Sequence, residues 1–302
     1  MRLSTSTNLL FYTRQPRQII GAEACARLCA QAGYRVLDIN CCENADPGCP
    51  LTQDDWEQWA TRLRRQADAL GVTFSQSHNP IYNVIEPDLT PDYAWQEELT
   101  RRSMIAAAIL GVRWVVAHAG TALPGGVYDR GETLRRNADY FHALGEKARS
   151  LGMEGIALEN MAYLGPYSAT LPPQLCATTE GLIAQIDACD SEAVGACWDF
   201  GHANLGHEDQ AESLRRLGKR LKATHVNDNL GAADDHTLPF LGNIAWETIL
   251  PVLTEIGYAG DLTYEIHKYL LSLIHISEPL YPVMIRSTVD TGSYLLRLAG
   301  GL

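Results

Sequence analysis

Six polar side chains that can carry protons or hold a metal, His78, His118, Glu159, Asp199, His225 and Glu265, stand at the ends of short apolar runs, separated by 40, 41, 40, 26 and 40 residues. Carboxylates and imidazoles are the common general acids and bases, and the common ligands of divalent ions. Each interval except one is about the length of a strand plus a helix. The six groups therefore occupy the same phase of a repeated unit, and a closed barrel of such units would gather them into one ring. Singly, each has a plainer reading: a histidine at a strand end is commonly a satisfied structural group, and Glu159 would suit the cap of a following helix. Together at one phase of the unit, they are what a shared site requires.

The elements that must position them alternate along the whole chain. Short β-rich runs predict strands over 3–12, 34–40, 72–78, 112–118, 155–159, 195–199, 223–226 and 262–265. Amphipathic periodicity predicts helices over 54–71, 93–111, 133–152, 178–190, 212–221 and 245–258. Gly71, Gly111, Gly152 and Gly257 stand where these helices should stop, ahead of the next strand. Strands separated by helices pair in parallel through right-handed crossovers, and eight such units close into a single (β/α)₈ barrel. No Pro, Gly or Ser linker and no shift of composition divides the chain, so residues 1–302 are expected to be one domain. A doubly wound open sheet is disfavoured, because the first βα connection, FYTRQPRQIIGAEA, has one glycine and no phosphate-cradling turn.

Composition narrows the classes of function. The 302 residues are 46% hydrophobic and 20% charged, which suits a folded chain with a sizeable core. A formal charge of −12, without a stripe of Lys or Arg, repels a phosphate backbone and makes nucleic acid an unsuited partner. No segment reaches the roughly 18 apolar residues of a membrane helix. The first residues, MRLSTSTNLLFYTRQP, lack the hydrophobic region of a signal peptide. Eight cysteines without an export signal read as reduced thiols of a cytoplasmic protein. Cys41, Cys42 and Cys49 lack a second ligand pair at zinc-finger spacing. Assembly into a homo-oligomer is compatible with all of this. The run KYLLSLIHISEPLYPV suggests a lid or a subunit contact.

Glu159, Asp199, His225 and Glu265 together offer three oxygen ligands and one nitrogen, a set suited to Mn²⁺, Mg²⁺ or Co²⁺ and tolerant of Zn²⁺, with Mn²⁺ the leading expectation. Glu159 ends the fifth strand and Glu265 the eighth, three strands apart around the ring. One could remove a proton from carbon while the other returns it, with the metal stabilising the enediolate oxygens between them.

Several motifs carry a resemblance. ALEN around Glu159, WDFGHAN around Asp199 and His202, THVNDN followed by ADDHTLPFLGN, and LTYEIH around Glu265 resemble the xylose isomerase-like barrel superfamily of sugar and sugar phosphate isomerases and epimerases. The likeness runs over most of the chain. Its tagatose/psicose 3-epimerase branch implies a metal on Glu159, Asp199, His225 and Glu265, with the two glutamates as acid and base and His202 on substrate hydroxyls. His78, His118, His236 and Lys268 complete the expected substrate-binding set. These epimerases carry an arginine just after the histidine that His225 matches, whereas this chain reads HVNDNLG. Two alternatives within the superfamily stand beside the epimerase expectation. One is an inosose-type dehydratase. The other is a metal-dependent phosphodiesterase like endonuclease IV, whose three zinc ions are held at nine positions matching His78, His118, Glu159, Asp199, His202, His225, Asp234, His236 and Glu265. The acidic loop NLGAADDHTLPFLGN lacks the Arg and Lys that a DNA clamp needs, which favours a small sugar or polyol as substrate. Only Lys268 offers a cation near the phosphate-seating loops of such barrels, which favours an unphosphorylated one. Asp228, Asn229 and His267 are expected to support the site or to pack beside it, and Trp114, Trp198 and Trp246 to fill the core.

Overall fold

In a computed structural model of the chain, which describes residues 1–10, 20–162, 174–272 and 281–300, the apolar runs form eight strands. These are β1 (Leu3–Ser6), β2 (Val36–Asn40), β3 (Thr73–His78), β4 (Trp114–Ala117), β5 (Gly155–Glu159), β6 (Val194–Asp199), β7 (Leu221–His225) and β8 (Leu262–Tyr264). They pair in parallel in the order β7-β6-β5-β4-β3-β2-β1-β8. The two edges meet where Val226 bridges to Tyr264, with its N–H donating to the Thr263 carbonyl at 2.7 Å. The sheet thereby closes into the expected (β/α)₈ barrel.

The helices are α1 (Ala22–Ala32), α2 (Cys41–Asn44), α3 (Trp56–Leu70), α4 (Tyr93–Leu110), α5 (Arg130–Ser150), α6 (Thr179–Ala188), α7 (Phe200–Leu205), α8 (Gln210–Leu217), α9 (Trp246–Glu255), α10 (His267–Ser272) and α11 (Tyr281–Leu298), of which the short α2, α7 and α10 bring residues to the cavity wall at the mouth. Gly71 and Gly111 end α3 and α4 in the left-handed conformation, at φ of 64° and 81°, where a side chain would be strained. Among the described residues no helix is long and apolar enough to cross a membrane. All eight cysteines are free thiols.

The first strand departs from expectation. It stops at Ser6 instead of running on through residue 12, and a 3₁₀ turn, Thr7–Leu10, follows; residues 11 and 12 lie outside the described range. Local side-chain bonds compete with the ladder here. The Asn8 N–H donates to Ser6 Oγ at 3.4 Å, and Thr7 Oγ1 accepts from the Asn40 N–H at 3.0 Å.

Alternate residues of each strand point inward, so the barrel interior is filled in layers. The top layer, at the C-terminal mouth, is made of Asn8, Asn40, His78, His118, Glu159, Asp199, His225 and Glu265, one from the end of each successive strand. Two residues earlier on every strand lies the floor beneath it. On β4 to β7 the floor is apolar: Val116, Ala157, Cys197 and Ala223 form a small inner cluster with Trp114. On β8 and β1 to β3 it is polar. Thr263 Oγ1 lies 3.5 Å from Gln76 Oε1, and Ser6 Oγ donates to Asp38 Oδ1 at 3.4 Å. Trp198 and Trp246 are fully buried between the strands and the helices.

Candidate metal centre and active site

Glu159 is the hub of the mouth. It ends β5 above the apolar floor and is 1% exposed, so both of its oxygens must find partners within the protein. Its Oε2 lies 3.3 Å from His78 Nε2 and 3.0 Å from His118 Nε2, and its Oε1 lies 2.9 Å from His225 Nδ1. Glu265 Oε2 approaches the same His225 nitrogen at 3.5 Å, and Asp199 Oδ2 approaches it at 4.0 Å. The ligand atoms of Glu159, Asp199, His225 and Glu265 all fall within 4.8 Å of one another. That is the span of donors arranged about one divalent ion at metal–ligand distances of roughly 2 Å.

Asp199 is held in place from both ends. As the N-cap of α7 its Oδ1 accepts from the His202 N–H at 2.7 Å, and its Oδ2 accepts from Asn227 Nδ2 at 2.8 Å. The glycine of the WDFGHAN motif makes the second contact possible, because a Cβ on Gly201 would collide with Asn227 Oδ1. The Asn160 side chain adds two bonds, accepting from the Asp199 N–H at 2.6 Å and donating to its carbonyl at 2.9 Å. Each carboxylate oxygen still has a lone pair free for a cation.

Two further groups of donors flank the first. His78, His118 and Glu159 converge on one side, and His202, Asp234 and His236 on the other. His78, His202 and His236 each direct Nδ1 at a backbone carbonyl, those of Asn79, Asn160 and Glu265, at 2.8, 2.8 and 2.9 Å. An imidazole tied in this way presents its Nε2 to the site in a fixed orientation, as metal-ligating histidines do. The donor chemistry of the centre therefore fits a divalent ion.

The electrostatics show how strongly charge is concentrated here. Burial opposes ionisation of Glu159, yet His225, His118 and His78 hold its carboxyl well below the usual range. Burial likewise opposes the charge on Glu265, which His225 and His236 nevertheless bring down to about 2. His225 is penalised by burial but held well above the ordinary histidine value by Cys197, Glu159 and Glu265. Against the same penalty, Glu159 raises His78 to about 9, and Asp234 and Glu265 raise His236 to about 9. Burial dominates at Asp199, whose carboxyl is raised.

The mouth opens into a cavity of about 440 Å³, whose walls include His78, His118, Glu159, His202, His236 and Glu265. All the predicted site residues but Lys268 are thus brought to one place. Lys268 is roughly half exposed; its Nζ donates to the Asp234 carbonyl and lies 3.6 Å from Asp234 Oδ2, and the residue does not line the cavity. Asp228 clamps the β7–α9 loop, accepting from the Phe240 N–H and from Trp246 Nε1, both at 2.9 Å. Asn229 donates to the Gly201 carbonyl at 2.9 Å, and the His267 ring lies 4.4 Å from that of His236. Sequence reasoning missed Asn8 and Glu43, which also line the cavity. For Asn8 the signal was hidden by the overlong first strand; for Glu43 it would have been the Asn-x-x-Glu cap that follows β2.

The fold recurs in solved structures. A D-tagatose 3-epimerase-like protein superposes with a TM-score of 0.74 at 22% identity, covering 99% of this chain and 98% of that one. A D-psicose 3-epimerase crystallised in the presence of D-fructose gives 0.73 at 12% identity, over 98% and 99%. In sequence, the chain is 42% identical over 84 residues to the uncharacterized protein y4fM of Sinorhizobium fredii, a match that spans 27% of either chain. Residues 26–280 match the family model of the xylose isomerase-like TIM barrel, and the chain belongs to that family.

Proposed function

We propose that the protein is a divalent-metal-dependent isomerase or epimerase of a sugar or polyol. The observation that carries this reading is the convergence of Glu159, Asp199, His225 and Glu265, of which the two glutamates line a cavity of a size to admit a sugar. The likeness of the fold to a D-tagatose 3-epimerase-like protein and a D-psicose 3-epimerase agrees with it. Glu159, Asp199, His225 and Glu265 would hold the ion, Mn²⁺ first among Mn²⁺, Mg²⁺, Co²⁺ and Zn²⁺. Such an ion supplies Lewis-acid stabilisation to oxygens that gain negative charge beside it.

The chain's own residues do the rest. One glutamate takes the proton from the carbon next to the substrate carbonyl, and the other returns a proton to the enediolate so formed. Approach from different strands would put the two carboxylates on different sides of a substrate held between them, which would allow inversion of configuration. His78, His118, His202 and His236, whose orientations are fixed by backbone carbonyls and carboxylates, bind hydroxyls and keep the reacting carbon in register. Burial of the site limits exchange of the proton in transit with water. A small-molecule substrate and a cytoplasmic setting complete the proposal, and the excess negative charge argues against nucleic acid.

A second reading rests on one observation: all nine donors expected of a three-metal phosphodiesterase are present, in three converging groups. One experiment separates the two. The purified protein is loaded with Mn²⁺, Co²⁺ or Zn²⁺, its metal content is measured, and the same sample is given a ketose and cyclitol panel and abasic-site DNA. Epimerised or isomerised product with one ion per chain is the expected result. Strand scission with three ions per chain would replace the proposal with the second reading.

A further inference from the structure

Six strands bring titratable groups to the mouth; β1 and β2 bring Asn8 and Asn40 instead. Asn40 is committed to the fold, since its Oδ1 caps α2 by accepting from the Glu43 N–H at 3.0 Å. That cap turns Glu43 toward Asn8, whose Nδ2 donates to Glu43 Oε1 at 3.5 Å. Two acceptors are left over. Among the described residues, Asn8 Oδ1 and Glu43 Oε2 are buried and find no hydrogen-bond partner, although both residues line the cavity. Asn8 is only 4% exposed, so water offers little relief. Buried acceptors without donors are rare in folded proteins, because their desolvation goes uncompensated. Where they persist in the wall of a cavity, a ligand that donates hydrogen bonds removes the penalty.

The chemistry of that ligand follows from what surrounds the pair. Among the described residues lining this cavity there is no Lys or Arg. A phosphoester or carboxylate placed against Asn8 and Glu43 would face an amide oxygen and a carboxyl group, with no Lys or Arg among the described lining residues to pair with it. A hydroxyl donates to either. We infer that Asn8 and Glu43 are specificity-determining residues that bind hydroxyls at the end of the substrate remote from the reacting carbons, and so select a neutral polyhydroxylated molecule over its phosphate ester. The inference rests on the sugar reading of the site and adds to it the group that chooses the substrate.

The test uses the metal-loaded full chain and its Glu43→Gln and Asn8→Ala variants. The probes are D-tagatose, D-fructose and D-allulose, the 1-deoxy and 6-deoxy forms of the ketose turned over best, and D-fructose 6-phosphate. In the unaltered protein, one deoxy analogue and the phosphate ester are expected to be poorer substrates by about ten-fold or more, since a site built to bond a hydroxyl rejects an analogue that lacks it. Glu43→Gln and Asn8→Ala are expected to raise KM for the ketose about ten-fold, to leave kcat within about two-fold, and to abolish the deoxy penalty, as loss of binding shared by ground and transition states requires. A merely structural role would not remove discrimination against the deoxy sugar. Should Glu43→Gln melt below the assay temperature, Asn8→Ala reads the same expectation. Unchanged KM and unchanged deoxy penalty in both variants, or a phosphate ester used as well as the free ketose, would overturn the inference and leave the sugar reading standing. Absence of turnover on every ketose by the folded, metal-loaded unaltered protein would overturn both.

Discussion

The two halves of the barrel interior differ in kind, although they carry the same ring of mouth residues. Below Glu159, Asp199 and His225 lie Ala157, Cys197 and Ala223, small apolar side chains packed with Trp114 and Val116. Below Glu265, Asn8, Asn40 and His78 lie Thr263, Ser6, Asp38 and Gln76, where Ser6 bonds to Asp38 on the neighbouring strand and Thr263 to Gln76 across the interior. An apolar floor excludes water and lowers the local dielectric, so the attraction between the donors of β5 to β7 and a cation is poorly screened. Beneath those donors the thiol of Cys197, which interacts with His225, is the one polar group of the floor residues on β4 to β7. A polar floor lets the opposite wall keep amide, hydroxyl and carboxyl groups that suit a neutral, hydroxyl-rich ligand. The barrel thus divides its interior between an apolar-floored side, which carries Glu159, Asp199 and His225, and a polar-floored side, which carries Glu265, Asn8 and Asn40; on the proposed function the first would supply most of the metal ligands and the second the hydroxyl-binding groups.

This contrast can be broken or sharpened experimentally. The largest effect is expected of Glu159→Gln, which removes a base from the apolar-floored side and weakens a ligand; kcat should fall about 10⁴-fold. The circular dichroism spectrum should be retained, and an enzyme still near full activity would end the acid/base assignment. Next comes Ala157→Asp, which puts a carboxyl into the apolar floor beneath the Glu159 carboxylate. It should cost about 3–5 kcal/mol of stability, read as a drop in melting temperature, whereas Thr263→Asp on the polar side should cost less. Equal losses in the two would show that the floors do not differ in solvation.

Asp38 gives an intermediate effect with a defined pH window. Burial raises its carboxyl to about 6 from 3.8. In the unfolded chain it ionises first, so its contribution turns against folding as pH rises from about 4 to 6 and is constant above that. Removing it with Asp38→Asn should stabilise the chelated protein by at most about 3 kcal/mol above pH 7 and by almost nothing at pH 4. A gain independent of pH would contradict the raised carboxyl. The smallest effect is expected of Asn227→Ala, which deletes the bond to Asp199 Oδ2. Metal affinity should weaken about ten-fold, measured by competition with a chelator, with little change in melting temperature.

Much of the site was legible because the chemistry falls at strand ends. Glu159, Asp199, His225 and Glu265 carry their phase in the spacing of the chain, and parallel crossovers leave that phase nowhere to go but one rim. Asn8 was not legible. The run 3–12 alternates as a strand would, and only the bonds of Asn8 to Ser6 Oγ and of Asn40 to Thr7 Oγ1 show where pairing gives way to a turn. Glu43 was not legible either, because nothing in CCEN says that a short helix, α2, starts there and brings Glu43 to the cavity wall. Lys268 illustrates the converse: its position after β8 put it in the expected substrate-binding set, but Asp234 of the neighbouring loop engages its ammonium group.

The order and phase of strands and helices, and the identity of most mouth residues, follow from the sequence alone, since hydrophobic periodicity and the geometry of parallel pairing are local or nearly local rules. Tertiary structure decided the partnerships: which nitrogen of His78, His202 and His236 faces the site, which oxygens of Asn8 and Glu43 stay unpaired, and that the floor is polar on one half only. Those outcomes depend on contacts between residues tens to hundreds of positions apart, and on burial, which raises or suppresses charge only once the barrel has closed.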